Sequence, residues 1–349
     1  MEKAPFPVQR KSLGWLLRVT GWILRVVGGA AVLVSVQRVR TLSSTTNMPG
    51  YQGLPWFVLL LIYCGVMVAG GATLAISLGV GRRARVHIAH VVTDVSRIPP
   101  GSYVLYLRPF TQDLESSGIA PAAEDSNAFT SPARTVARSG RTYEERLGRM
   151  FKKFGPMIAI GRPGEPLPGG SGARRTYLPL NDWKDTVGEL IDNARLVILG
   201  AGPGPGTVWE YVEILRRRDP SRLVVLVTNE DEYLRFKSST IAEAEGVLFE
   251  LKQKYGDFWQ PPILPDLPSP VNPKTTQVFY FKAMIYFSES WEPHLAYFDR
   301  SAVRGSHPKK LNKYVAEGMR PVMEHISRGT QPPARLNLPL DRGHLETGT

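Results

Sequence analysis

The residues best placed to do chemistry lie close together: Trp209, Glu210 and Glu213 in the run TVWEYVEILRRR, after the turn GAGPGPG. A carboxylate there could stabilise positive charge developing on a ribose or orient its hydroxyls, as cleavage of a glycosidic-type bond requires. An indole could serve as a stacking platform. On a helix Glu213 lies near Trp209, four residues back, whereas Glu210 projects about 100° round from it. Three arginines could add phosphate contacts: Arg108, ending YVLYLRPF, and Arg162 and Arg174 in GRPGEPLPGGSGARRTYLP. Glycine-rich turns with arginines at a strand end can surround phosphates. This pattern is neither the Walker motif nor the dinucleotide fingerprint.

Each of these residues also has a plain structural role open to it. Glu213 can pair with Arg216 or Arg217 on its own helix. Trp209 can pack, Arg108 can tie elements together, and the loop holding Arg162 and Arg174 can simply be exposed. No histidine pair has metal spacing, and Ser171, Ser221 and His294 do not assemble into a nucleophile-base-acid order. The single cysteine, Cys64, excludes an intrachain disulfide and a cysteine-based zinc or iron-sulfur site. No resident cofactor is implied.

The elements that must position these residues follow an α/β pattern. Tyr103–Leu107, Pro156–Ile160, Arg195–Leu199 and Arg222–Val227 are apolar runs that predict buried parallel strands. Helices are expected between them: one from TYEERLGRMFKKFG, with Thr142 and Glu145 spaced as a capping box, one over Trp183–Ala194 capped by Asn181 or Asp182, and one opening near Thr207. Leu114–Gly140 reads as a long loop, and so does the segment after Ile160. Asp231 can cap a further helix. The run TQVFYFKAMIYF predicts another strand, Trp291–Arg300 is aromatic but poorly periodic, and Lys310–Ile326 predicts an amphipathic helix interrupted in propensity by Pro321. In such a sheet, ligands bind at the strand C-termini.

Charge locates a second region. The formal net charge is +12, yet residues 1–100 hold 11 Lys/Arg against 2 Asp/Glu, leaving +3 for the remaining 249 residues. Nucleic acid is therefore not an expected partner. Leu54–Val80 has 27 residues without a formal charge, more than the roughly 20 that cross a bilayer. Trp15–Val36 is a weaker span because Arg18 and Arg25 interrupt it; Arg18 can lie at the interface and Arg25 can snorkel or face the partner helix. The expected organisation is a membrane anchor and connector over 1–97, with transmembrane helices at about 15–36 and 54–80. A short helix from the arginine cluster to Val95 would lead into a cytoplasmic domain over 98–330 and a flexible tail over 331–349. Arg82, Arg83 and Arg85 after the second span, with Lys3, Arg10 and Lys11 before the first, favour both termini on the cytoplasmic side of the cell membrane. The arginine cluster reads as a stop-transfer flank that touches anionic lipid.

The order YVLYLRPF, helix, PMIAIG, loop, WKDTVGELIDNARLVILGAG, turn, TVWEYVEIL, RLVVLV resembles the core of bacterial TIR-like (Toll/interleukin-1 receptor-like) domains over roughly residues 102–230. The resemblance implies a flavodoxin-like parallel sheet with helices on both faces. Many members hydrolyse NAD and others only assemble with partners. The family's tryptophan matches Trp209 and its glutamate Glu213, with Glu210 as the rival. Glycine, proline and threonine replace the serine or asparagine usual before the tryptophan. Two expectations follow: a membrane-anchored signalling or assembly module, or an NAD glycohydrolase whose loops Gly161–Arg175 and Gly200–Gly206 surround the nucleotide. The implied partners are the lipid bilayer, further copies or other signalling proteins, and NAD or a related nucleotide.

Overall fold

A computed structural model describes residues 9–44, 55–89, 91–109, 143–161, 172–178, 183–272, 281–303 and 308–329. The chain opens with two long helices, α1 (Lys11–Ser44) and α2 (Trp56–Ile88), each about 50 Å long at the usual rise. Both are long and apolar enough to cross a membrane. They run past the expected spans, and α2 continues through Arg82, Arg83 and Arg85 to Ile88, where a separate connector helix was expected.

Small residues hold this pair together. Gly14, Gly21, Gly28 and Ser35 are buried along α1, and Gly70, Ser77 and Ala84 along α2, in both cases seven residues apart. A seven-residue repeat keeps one seam facing the partner as the helices wind around each other left-handedly. A Cβ on Gly28 would come within 2.9 Å of the Gly70 carbonyl oxygen, and one on Gly70 within 3.0 Å of the Gly28 oxygen. The backbones approach this closely because neither residue has a side chain. Trp22, Val27, Leu61 and Val68 are more than half exposed on the outside of the pair.

The rest of the chain builds one eight-stranded sheet in the order β1-β4-β3-β2-β5-β6-β7-β8. The strands are β1 (Val91–Val92), β2 (Val104–Leu107), β3 (Met157–Gly161), β4 (Arg174–Tyr177), β5 (Leu196–Gly200), β6 (Leu223–Val227), β7 (Ala283–Phe287) and β8 (Pro293–Tyr297). The first six are parallel along the sheet; β7 is antiparallel to β6, and β8 to β7. The sheet is therefore mixed where an all-parallel one was expected. Within the GRPGEPLPGGSGARRTYLP segment, Arg174–Tyr177 is strand, and the aromatic stretch after Trp291 contains β8.

Alternation along the strands divides the core in two. Leu105, Leu107, Val197, Leu199, Val225 and Ile285 face a layer formed by α4 (Trp183–Asn193), α5 (Pro205–Arg217), α6 (Glu230–Gly246) and α7 (Leu248–Tyr255). Val104, Tyr106, Leu196, Ile198, Val224 and Met284 face α3 (Tyr143–Met150) and α8 (Pro308–Gly329). Both faces of β2, β5 and β6 are covered, which is why these strands are continuous apolar runs. The cap of α6 is Asn229, whose side chain accepts from the Asp231 and Glu232 amides, in place of Asp231 itself. Pro321 lies inside α8, which continues to Gly329.

Candidate functional site

Because β2, β3, β5 and β6 are parallel, their C-termini share one edge. From β2 the chain passes to β3 by way of α3 on one face; from β5 it passes to β6 by way of α5 on the other. The loops leaving β2 and β5 thus diverge, the arrangement that opens a ligand crevice in α/β sheets. Here the two loops touch. A Cβ on Gly202 would lie 2.1 Å from Pro109 Cγ, so the proline ring occupies the space a larger residue would need.

Arg108, beside Pro109, turns to the α3 face. Its Nη1 donates to Glu144 Oε2 at 2.7 Å, Arg175 Nη2 of β4 donates to the same oxygen at 3.2 Å, and the Ala173 amide donates to Oε1 at 2.8 Å. All three charged side chains are sealed from solvent, at 1% or less exposure. A carboxylate buried between two guanidiniums is retained only because every partner is in place. It joins the end of β2, strand β4 next to the sheet edge, and the first turn of α3. Glu144 and Arg175 were not expected here: Glu144 sits beside the apolar stripe of its helix, and Arg175 lies in a segment that reads as loop.

Arg174 starts β4 and is exposed, in register with Ile158 near the beginning of β3. It lies towards the opposite edge from the strand C-termini and does not join Trp209. Arg162 lies outside the described residues.

On the other face, the N-termini of α4 and α5 rise to the strand-end edge. Trp209 meets Trp183 edge-to-face with ring centroids 5.0 Å apart, and Lys184 Nζ sits 5.2 Å from the Trp209 ring. Glu210 is five residues into α5 and keeps some exposed surface. No hydrogen bond or ion pair reaches it among the described residues. The carboxyl is packed closely enough among protein atoms that desolvation pushes its pKa up to about 8.

Glu213 is in a different place. It lies eight residues from the start of α5, about 12 Å down the helix axis from the strand ends. Its Oε2 accepts from Arg216 Nη1 at 3.1 Å and its Oε1 from Arg217 Nε. Arg217 also pairs with Asp192 of α4 at 2.7 Å, and Arg216 with Glu250 of α7. Glu213, Arg216, Arg217 and Glu250, with Leu251 and Lys254, line a hollow of about 300 Å³. The third arginine of the run, Arg218, is buried; it donates to the Asp192 and Ala194 carbonyls at 2.8 and 2.6 Å and so satisfies the end of α4.

The structure therefore brings Trp209 and Glu210 towards the strand ends, sets Glu213 beside α7, and ties Arg108 to Glu144. Among the described residues no group of three or more His, Cys, Asp or Glu is placed to hold a metal ion. Comparison with protein-family models, curated proteins and solved structures finds no match.

Proposed function

We propose that the chain is a membrane-anchored cytoplasmic module that acts by assembly, with itself or with other signalling proteins, through a TIR-like, flavodoxin-like α/β domain. The observation that carries this reading is Glu213: the carboxylate that matches the family's glutamate is held by two arginines beside α7, about 12 Å along the helix from the strand ends. The middle strand order β3-β2-β5-β6 supports the fold assignment. The apolar exterior of the α1/α2 pair supports the bilayer as its surroundings. Arg82, Arg83 and Arg85 sit at the end of the pair that joins the α/β domain, with Arg38 and Arg40 at the other, and this supports both termini on the cytoplasmic side.

Glu210 favours a second reading, hydrolysis of NAD or a related nucleotide. Its carboxyl is recessed, unpaired among the described residues, and beside Trp209. A pKa of about 8 works against that role near neutrality. Nicotinamide leaves NAD as a neutral ring and needs no proton, whereas the ribosyl cation developing beside it is stabilised by an anion. Glu210 is mostly uncharged at pH 7, so the assembly reading is preferred. Full-length protein in liposomes, labelled for energy transfer between copies and supplied with NAD, separates the two. Assembly predicts transfer that survives Glu210→Gln with Glu213→Gln, and no nicotinamide. Absence of association, in the parent and with candidate partners, would sink it.

A further inference from the structure

The α1/α2 pair contains a basic cleft that no strand-end chemistry uses. A cavity of about 370 Å³ opens between the helices where they join the α/β domain, lined by Arg18, Gly21, Arg25, Gly81, Ala84 and Arg85 among others, with no acidic residue in its lining. The Arg25 guanidinium lies across Gly81: a Cβ there would be 2.7 Å from Arg25 Nη2 and would meet no other residue within 4 Å. Arg25 Nε is buried with no hydrogen-bond partner. Arg25 and Arg82 are close enough to Arg85 to repel it, and the acid balancing Arg85, Glu145 of α3, stands 3.7 Å away. The cleft therefore gathers like charges with donors to spare. At the end of α2 the Gln9 Nε2 donates to the Val86 and Ala89 oxygens at 3.0 and 2.8 Å.

We propose that this cleft binds a phosphate group, and that its source is the headgroup of an anionic phospholipid. Guanidinium groups recognise phosphate oxygens through paired, charge-assisted hydrogen bonds. An anion here would satisfy the buried Arg25 nitrogen and relieve repulsion among the arginines. The uncharged stretch of α2 ends at Gly81, one residue before Arg82, so the cleft opens at the depth where headgroups begin. Gly21 faces Gly81 across the seam, its Cβ position 3.5 Å from the Gly81 amide nitrogen, and small residues on both helices keep the floor open. The choice of lipid over soluble phosphate rests on the membrane reading above.

Native mass spectrometry of the full chain, released from micelles doped with phosphatidylglycerol or phosphatidylcholine, tests the proposal. The phosphatidylglycerol adduct is expected to bind about tenfold tighter than the phosphatidylcholine one, and Arg25→Gln to weaken it by about tenfold, the worth of one charged hydrogen bond. Gly81→Ala tests the cleft without altering charge: it displaces only the flexible end of Arg25, so the helices still pair and retention falls. Arg38→Gln with Arg40→Gln, at the far end of α1, should leave binding unchanged. Equal retention of the two lipids, or an equal loss in the Arg38/Arg40 variant, would overturn the site. A thermal shift with inorganic phosphate forms a separate arm: stabilisation lost in Arg25→Gln but without lipid selectivity would keep the phosphate site and overturn the lipid source. Release of the chain from native membranes by alkaline carbonate would defeat the membrane reading while leaving the inorganic phosphate arm to decide the cleft.

Discussion

Two carboxylates on opposite faces of the sheet each sit between two arginines, and they differ in what surrounds them. Glu144 is sealed with Arg108 and Arg175, all at 1% exposure or less, and ties three elements that are distant in sequence. Glu213 is buried, but Arg216 and Arg217 are more than a third exposed, and the cluster borders a hollow of about 300 Å³. Composition is nearly the same in the two places. Burial of the cations decides that one cluster is sealed inside the fold and the other links α5 to α4 and α7 at the surface.

Removing the sealed carboxylate should therefore have the largest effect. Glu144→Gln removes the carboxylate that two buried guanidiniums share and is expected to destabilise the α/β domain by about 3–5 kcal/mol, read as a shift in the urea midpoint followed by tryptophan fluorescence. A loss no greater than that of Glu213→Gln would break the comparison. Gly202→Ala should follow at about 1–3 kcal/mol, because the new methyl meets Pro109. Pro109→Ala in the same chain should recover part of that loss; a purely additive pair would show that the two loops do not press on one another.

Glu210 sharpens the contrast as a recessed carboxyl with no arginine partner among the described residues. Its folded pKa lies above its unfolded value, so its penalty is absent below about pH 4.5, grows as pH rises, and levels off past about 8. Wild-type stability should fall across that window and Glu210→Gln should flatten the fall, with the two proteins alike near pH 4. A parallel pH profile for both would place Glu210 in ordinary solvent. The smallest change is expected of Glu213→Gln, about 1 kcal/mol or less and shrinking as salt is added, since its partners are screened.

The same difference explains what could be read from the sequence. Strands β2, β5 and β6 are covered on both faces, so their apolar runs mark them to within a residue. Strand β4, between β3 and the two-residue edge strand β1, could not be found this way. Its Arg175 is as buried as any leucine, but only because Glu144, some thirty residues earlier, neutralises it, and no local pattern records that pairing. Strand β1 has only two residues, too few for any period, and the antiparallel turn of β7 depends on its long connection from β6. In the helical pair, hydropathy shows the apolar spans, whereas the seam lies in the seven-residue spacing of Gly14, Gly21 and Gly28 against Gly70, Ser77 and Ala84. That spacing is present in the sequence but acquires meaning only once the two helices are set antiparallel. Among the candidate site residues, Trp209 and Glu210 were recognisable from the turn-helix pattern. For Glu213, pairing with Arg216 or Arg217 was one of the two roles open to it, and both pairs form.

The most direct test of the account is nicotinamide release from NAD by the full-length protein in liposomes, with and without enforced clustering, from pH 6 to pH 9. An assembly module whose family-matched glutamate is locked beside α7 predicts no release at any pH, while copies still associate. Release that climbs as Glu210 ionises around pH 8 and disappears in Glu210→Gln would contradict it.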